Sequence, residues 1–413
     1  MRPFPFAPMP ASLSSTDPLQ FRLNVEESVQ MTRFLRLLVQ TPSPSSGESA
    51  VADLIMQELL AIGVADVFRD SVGNVIARLG NGLGPTLMFD AHMDTVTPTD
   101  ADWHHGAYTA AIEDGMLYGL GAADDKGSIA ALVYGIKKLI DSQIQLQGNL
   151  LLAFTVQQEP CEGCALRLLL KETNVHPDWI VLAEPSDLTI KRGHRGRVLF
   201  KVTVHGRSSH SSRPDLGDNA ITAAARLIFS IDLLAGSLAN DPFLGPGTIA
   251  VTHIESRSAS ANAIPDACTF YVDRRLTSGE TPGRAQVQIE NVIEREGILA
   301  SVEVMEYEAA SYTGHNLHTR QAFNAWALEQ EHPLVNALSL AAQTVVGKPP
   351  IVGNWSFSTD GVFSMAEAGI ATVGFGPGDP DVAHTVDESV RLDDVATAAQ
   401  TYALLSTMLL SRA

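Results

Sequence analysis

The sequence has 413 residues, 45% hydrophobic and 18% charged, which is enough for two domains with packed cores. A formal charge of −19 argues against nucleic acid or an anionic membrane as partner. Three cysteines give no disulfide framework and point to a reducing, cytoplasmic location, and no apolar stretch approaches a membrane span in length.

Residues 1–20 are proline-rich, lack the apolar core of a secretory signal, and read as a flexible arm. The periodicity predicts a helix over 24–38, broken by Thr41-Pro42-Ser43-Pro44-Ser45, and another over 49–62 with Val51, Leu54, Ile55 and Leu59 on one face. Gly73-Asn74 turns into a short strand, 75–77. The apolar run Thr86-Leu87-Met88 then leads into Phe89-Asp90-Ala91-His92-Met93-Asp94, a buried strand ending in polar groups. In extended chain, residues i and i+2 point the same way, so Asp94 can hold one nitrogen of His92 while the other binds a metal. Alone, the stretch reads better as a strand end with a satisfied histidine and a turn aspartate.

Tyr118-Gly119-Leu120-Gly121 opens a glycine turn before a helix whose apolar positions are Ile129, Leu132, Val133, Ile136 and Ile140. The third glycine of a dinucleotide fingerprint is replaced by Asp124, which excludes that motif and leaves Asp124 as an N-cap or a ligand. Strands over 149–156 and 179–183 are apolar throughout and end in Gln157-Gln158-Glu159 and Glu184-Pro185-Ser186. Such alternation of strands and helices implies an open α/β sheet that binds ligands at the carboxyl ends of its strands, where His92, Asp124, Glu159 and Glu184 fall.

The pattern changes after Lys191. Strands over 198–204, 247–254, 268–273 and 300–308, with helices over 219–234 and 285–296, predict an inserted α+β domain with one sheet face covered. A helix over 333–346, a strand over 372–375, the stretch Val382-Ala383-His384-Thr385-Val386-Asp387-Glu388 and a helix over 392–410 complete the chain. The expected division is 1–192 for the first part of a catalytic domain, 193–312 for the insertion and 313–413 for the second part. Cys161-x-x-Cys164, with no second pair, reads as packing. His104 and His105 read as surface near the mouth of the site, and His194 as a substrate or hinge contact.

On Phe-Asp-Ala-His-Met-Asp (89–94), Gly-Ala-Ala-Asp-Asp-Lys-Gly (121–127), Thr-Val-Gln-Gln-Glu (155–159), Ala-Glu-Pro (183–185) and Ala-His-Thr-Val-Asp-Glu (383–388), the chain resembles the di-zinc aminoacylase/carboxypeptidase/succinyl-diaminopimelate desuccinylase superfamily. The resemblance runs from about residue 25 to the C-terminus. Arg192-Gly193-His194-Arg195-Gly196-Arg197 and Trp355-Ser356-Phe357-Ser358-Thr359-Asp360-Gly361 are most similar to a branch labelled selenium-metabolism-linked hydrolase.

That resemblance implies a zinc-peptidase-like mixed sheet flanked by helices, with an inserted α+β dimerisation (lid) domain. It implies that His92 binds one zinc, oriented by Asp94, that Asp124 bridges two, that Glu184 completes the first site and that Glu159 with His384 completes the second. Cobalt or manganese could replace zinc. His210 would reach into the twin subunit's site to stabilise the oxyanion, although its own surroundings read as surface. Asn262 and Arg275 would contact a substrate carboxylate, although Arg275 could equally pair with Asp273, and Thr359 is a further candidate for such a contact. The partners implied are a small amide or peptide substrate and a second copy of the chain.

The resemblance also implies a glutamate as general base immediately before Glu159, where this chain has Gln158. An amide cannot carry a proton at neutral pH. The expected function is therefore hydrolysis of a small N-acyl, N-carbamoyl or dipeptide substrate by a metal-activated water, impaired at Gln158. The alternatives left open are a deliberately inactivated enzyme, a rewired base at Glu162, and a metal-containing binding protein without turnover.

Overall fold

The computed structural model describes residues 18–80, 82–98 and 102–411. Residues 18–20 open a 3-10 turn, Pro18–Phe21, and the remainder of the expected arm lies outside the described residues. Asn24 starts the helix Val25–Gln40 through a reciprocal capping box with Glu27, satisfying two amides that the first turn would leave bare. The helix Ser49–Ala61 follows.

Among the described residues the larger sheet has nine strands. Its main order is Asp66–Arg69, Val75–Leu79, Asn149–Thr155, Thr86–His92, Trp179–Leu182, Ala371–Gly374, Ile190–His194 and Trp326–Ala327, and Val352–Trp355 also pairs with Ile190–His194. Thr86–His92 runs parallel to both neighbours; Asp66–Arg69 and Trp326–Ala327 at the margins are antiparallel to theirs, and Val352–Trp355 is parallel to Ile190–His194. The apolar strands are continuous because both faces are covered. Leu150, Leu152 and Phe154 join the core under the helices Gly127–Asp141, Pro333–Val346 and Leu392–Leu410. Leu151 and Ala153 join Met88, Ile180 and Leu182 on the other face, beneath Cys164–Thr173. By the same alternation Asp90 and His92 take the face of Met88, away from the larger helical layer. The expected α/β sheet flanked by helices is the architecture seen.

A second core is built on the order Thr248–Arg257, Ala267–Leu276, Gly196–His205 and Ala300–Val304, with Ala322–Phe323 also on Gly196–His205. Val198, Phe200, Val202 and Val204 alternate inward and pack against Leu227 and Ile231 of the helix Ala220–Asp232 and Ile289 and Val292 of Pro282–Glu296. The chain enters this part from Ile190–His194 and returns through Trp326–Ala327, its antiparallel neighbour, with His194 opposite Trp326.

Three expectations need correction. The single strand over 300–308 is two, Ala300–Val304 and Glu306–Ala310, because at Met305 the chain leaves one sheet and starts a hairpin with Asn316–Arg320. A period-2 pattern does not register a change of partner. The edge strand Asp66–Arg69 and the hairpin of Ala111–Glu113 with Met116–Tyr118 were not anticipated, being short and partly exposed. Finally, Ala220–Ser237 is long and apolar enough to cross a membrane by length and mean hydropathy (1.4). Its Ala220, Ala224, Leu227 and Ile231 pack on the second sheet, and Asp232 ends the α-helical part.

Candidate metal centre

His92 closes its strand, and Met93 and Asp94 belong to the loop beyond it. The buried ring of His92 lies with Nδ1 2.9 Å from the backbone carbonyl of Asp94 and 3.5 Å from its carboxylate. The i, i+2 argument thus chose the right residue, whose backbone carbonyl comes closer than its carboxylate because the extended conformation ends at His92. A carbonyl only accepts, so Nδ1 carries the proton and Nε2 is left to face the site. That nitrogen lies 2.8 Å from Asp124 Oδ1.

Asp124 sits in one wide turn, Ala122–Lys126, entered through Gly121 at φ 82, a left-handed conformation suited to glycine. Its other oxygen lies 3.1 Å from Nε2 of His384, which lies 2.9 Å from Glu159 Oε1. Donor atoms of His92, Asp124 and Glu159 all fall within 4.8 Å of one another. Glu184 joins through Gln158, whose Nε2 donates to its Oε1 at 2.8 Å. Asp94 is fully buried. Its carboxylate accepts the backbone N–H of Gln158 (2.9 Å) and Glu159 (3.2 Å) and the hydroxyl of Ser45 (2.7 Å).

So many buried carboxylates distort one another's protonation. Burial pushes the Asp124 carboxyl up, but hydrogen bonds with His384 and His92 outweigh it and hold it well below the usual range. Contacts with Asp124 and Glu159 raise His384 to about 10. Burial lowers His92, yet Asp124 and Asp94 carry it well above its ordinary value. Burial raises Glu159 and Glu184. This negative charge draws protons onto the histidines, and a divalent cation would satisfy it equally; the nitrogen and oxygen donors suit such an ion.

The four remaining candidates have no hydrogen bond or ion pair to this cluster among the described residues. His210 is exposed, with Nδ1 2.7 Å from Ser212 Oγ. Asn262 is exposed beside it, its carbonyl accepting the amide of Ser211 at 2.8 Å. Arg275 pairs with Asp273 at 2.7 Å, the alternative its residues left open. Thr359 is buried, its amide donating to His194 Nε2 (3.1 Å) and its hydroxyl accepting from Gly361 (3.2 Å). His194 also contacts the Arg195 carbonyl through Nδ1 (2.8 Å), and burial lowers it to about 4.

Several buried acids went unanticipated. Asp90 hydrogen-bonds Asp360, and burial and then that neighbour push it well up. Asp125 Oδ2 accepts the amide of His92 at 3.3 Å. Glu48 accepts the amides of Ser46 and Gln157, both at 3.0 Å. Glu388 accepts three amides of the Asp124 turn. Asp90 carried a sequence signal as a charge inside an apolar strand on the parity of His92, Asp125 and Glu388 stood inside motifs that carry the resemblance, and Glu48 carried none.

A family model described as Peptidase family M20/M25/M40 matches residues 88–407. Over 393 residues the chain is 35% identical to "Uncharacterized protein YgeY" of Escherichia coli strain K12, covering 94% of this chain and 97% of that protein. It is 27% identical over 376 residues to a succinyl-diaminopimelate desuccinylase of Marinobacter nauticus, covering 88% and 94%. The fold is similar to that of the M20 family metallo-carboxypeptidase Sso-CP2 of Sulfolobus solfataricus, with a TM-score of 0.75 at 18% identity over 93% and 99% of the two chains. A histidine–carboxylate cluster at the ends of parallel strands, in a chain matched over most of its length, identifies it as a member of peptidase family M20/M25/M40.

Proposed function

We propose that the chain is a metal-dependent amidohydrolase acting on the amide of a small N-acyl amino acid or dipeptide. The observation that carries this reading is Asp124, whose two oxygens face two different histidines, as a carboxylate shared between two cations would. His92 and Glu184 would hold one zinc, Glu159 and His384 the other, and Asp124 both, with cobalt or manganese as substitutes. When bound, the pair supplies Lewis-acid polarisation of the scissile carbonyl and lowers the pKa of the attacking water.

The chain's own residues position groups and move protons. Asp94 grips the amides of both Gln158 and Glu159, so it fixes the loop that carries them. Gln158 stands where the resemblance expects the base, and its amide orients Glu184 without taking a proton from water to the leaving nitrogen. The loss of a general base costs about 10²–10⁴ in rate. Against Glu162 as a substitute base stands its burial, with Oε1 3.2 Å from Arg197 of the inserted sheet. A second reading, a binding protein without turnover, is favoured by the same Gln158.

The inserted unit, 193–312, would pair with that of a second copy. Thr248–Arg257 is an edge strand, and Ile221, Phe229 and Ile254 lie exposed along a groove of about 590 Å³ beside it. His210 and Asn262 are adjacent and exposed, as groups completing a neighbour's site must be, and Arg275 and Thr359 stay as candidates for the substrate carboxylate. The three cysteines are free and buried, which supports a reducing, cytoplasmic location.

The experiment compares the zinc-loaded chain with Gln158→Glu on N-acetyl, N-succinyl and N-carbamoyl amino acids and dipeptides. Activity gained in the glutamate form is expected. Silence from both forms, with ligands still bound, would leave the binding protein.

A further inference from the structure

His384 is the least protected of the candidate ligands. Its side chain is 45% exposed, against 2% for His92, 9% for Asp124 and 11% for Glu159. Its backbone is left-handed at φ 61, and residues 384–386 are all exposed. Packing does not hold such a loop, yet Nε2 lies within 3.1 Å of two carboxylates from other loops.

Four residues on, the chain is fastened. Glu388 is fully buried, and its carboxylate accepts the backbone amides of Gly121 (3.1 Å), Ala123 (2.9 Å) and Asp124 (2.9 Å). Its own carbonyl accepts the amide of Gly119 at 2.8 Å. The left-handed Gly121 turns these amides into a concavity of the kind that takes anions, and the anion here is the chain's own. One side chain therefore holds the amide of Asp124 and, through four residues, the imidazole of His384. Asp387, which accepts the amide of His105 at 3.1 Å, fastens the same loop from its outer side.

We propose that Glu388 is a positioning residue that sets the separation of His384 and Asp124, and with it the affinity of the metal site these two would form with Glu159. This rests on the metal reading above. Glu388→Gln keeps the size but turns an NH2 toward the Gly121 amide, so a donor meets a donor. Glu388→Asp keeps the charge and shortens the reach by one methylene.

The test uses the full-length chain, both variants and His384→Ala. Zinc stoichiometry and affinity are measured by chelator competition, the visible spectrum is recorded with cobalt(II), and melting is followed without metal. Glu388→Gln is expected to bind its weaker zinc about 10–100-fold less tightly, the usual cost of removing a group that orients a ligand, and to shift the cobalt spectrum toward that of His384→Ala. A lower melting temperature with wild-type zinc affinity and spectrum would make the role structural only and overturn the proposal. If the glutamine form does not fold, Glu388→Asp decides: weakened zinc supports the proposal and wild-type affinity overturns it. A wild-type chain that takes up neither metal would overturn the metal reading itself, and this inference with it.

Discussion

The two sheets bury opposite kinds of residue. Around the carboxyl ends of the large sheet's parallel strands, His92, Asp94, Asp124, Asp125, Glu184 and Glu388 are all buried, held by backbone amides and by one another. In the five-stranded sheet the corresponding interior is Val198, Phe200, Val202, Phe270 and Val272, and most ion pairs, such as Arg213 with Asp215, lie in solvent. Arg274, buried against Glu280, and the half-buried pairs that Arg197 and Arg275 make with Asp273 are exceptions. Burying apolar surface stabilises by about 25 cal/mol per Å², whereas burying a charge costs stability unless it is paired and hydrogen-bonded. One region is thus spent on stability in the ordinary way, and the other is tolerated for what its charges can hold.

The sharpest test of that contrast is Gln158→Glu, expected to raise amide turnover about 10²–10⁴-fold in the zinc-loaded chain while leaving the fold unchanged. Comparable turnover by both forms would show that another group carries the proton. Phe270→Ala should do the reverse. Emptying a fully buried aromatic site costs about 3–5 kcal/mol of stability, read by urea unfolding, with zinc content unaltered in the folded protein. Loss of zinc from that variant would break the separation of the two regions.

A smaller effect should appear at Glu48, which burial and then the charge of Asp94 push from 4.5 to about 7. Between those values the folded chain keeps a proton that the unfolded chain has released, so stability falls as pH rises through the window. Glu48→Gln should flatten that fall. In chelator it should match the wild type at pH 4 and exceed it at pH 8 by up to about 3 kcal/mol. An unchanged pH slope would mean that Glu48 does not stay protonated in the fold. Smallest of all, Arg213→Ala should leave the melting temperature unresolved from wild type, because that pair is exposed and screened. A clear drop would show that the second region also depends on charge.

What the sequence discloses divides along the same line. The helix 392–410 and the strand over 149–156 follow from periodicity and unbroken apolar character, which are local properties. The cluster of His92, Asp124, Glu159 and His384 was legible because each follows an apolar strand or a glycine turn, or stands in a family motif. The roles of Glu48 and Glu388 were not, although Glu388 closes a family motif, because a carboxylate that accepts amides from a loop more than a hundred residues away has the same neighbours in sequence as a solvated one. Met305 hides a change of partner for the same reason. Asp94 shows the limit most finely: its pairing with His92 was inferable, but which of its oxygens comes closer depended on where the strand stops.

The pairing of His194 with Trp326 has a consequence for how such a chain can be assembled over time. The strands by which the chain leaves and rejoins the large sheet lie side by side and antiparallel, the geometry of an ordinary hairpin whose tip has been enlarged into a unit with its own core. Gaining or losing that tip changes the length of one connection and leaves the order of the remaining strands intact. Joining 194 to 326 by a short turn should keep the strand order of the large sheet, at the cost of Leu317, Tyr307 and Tyr312, which pack against its core from within the stretch removed.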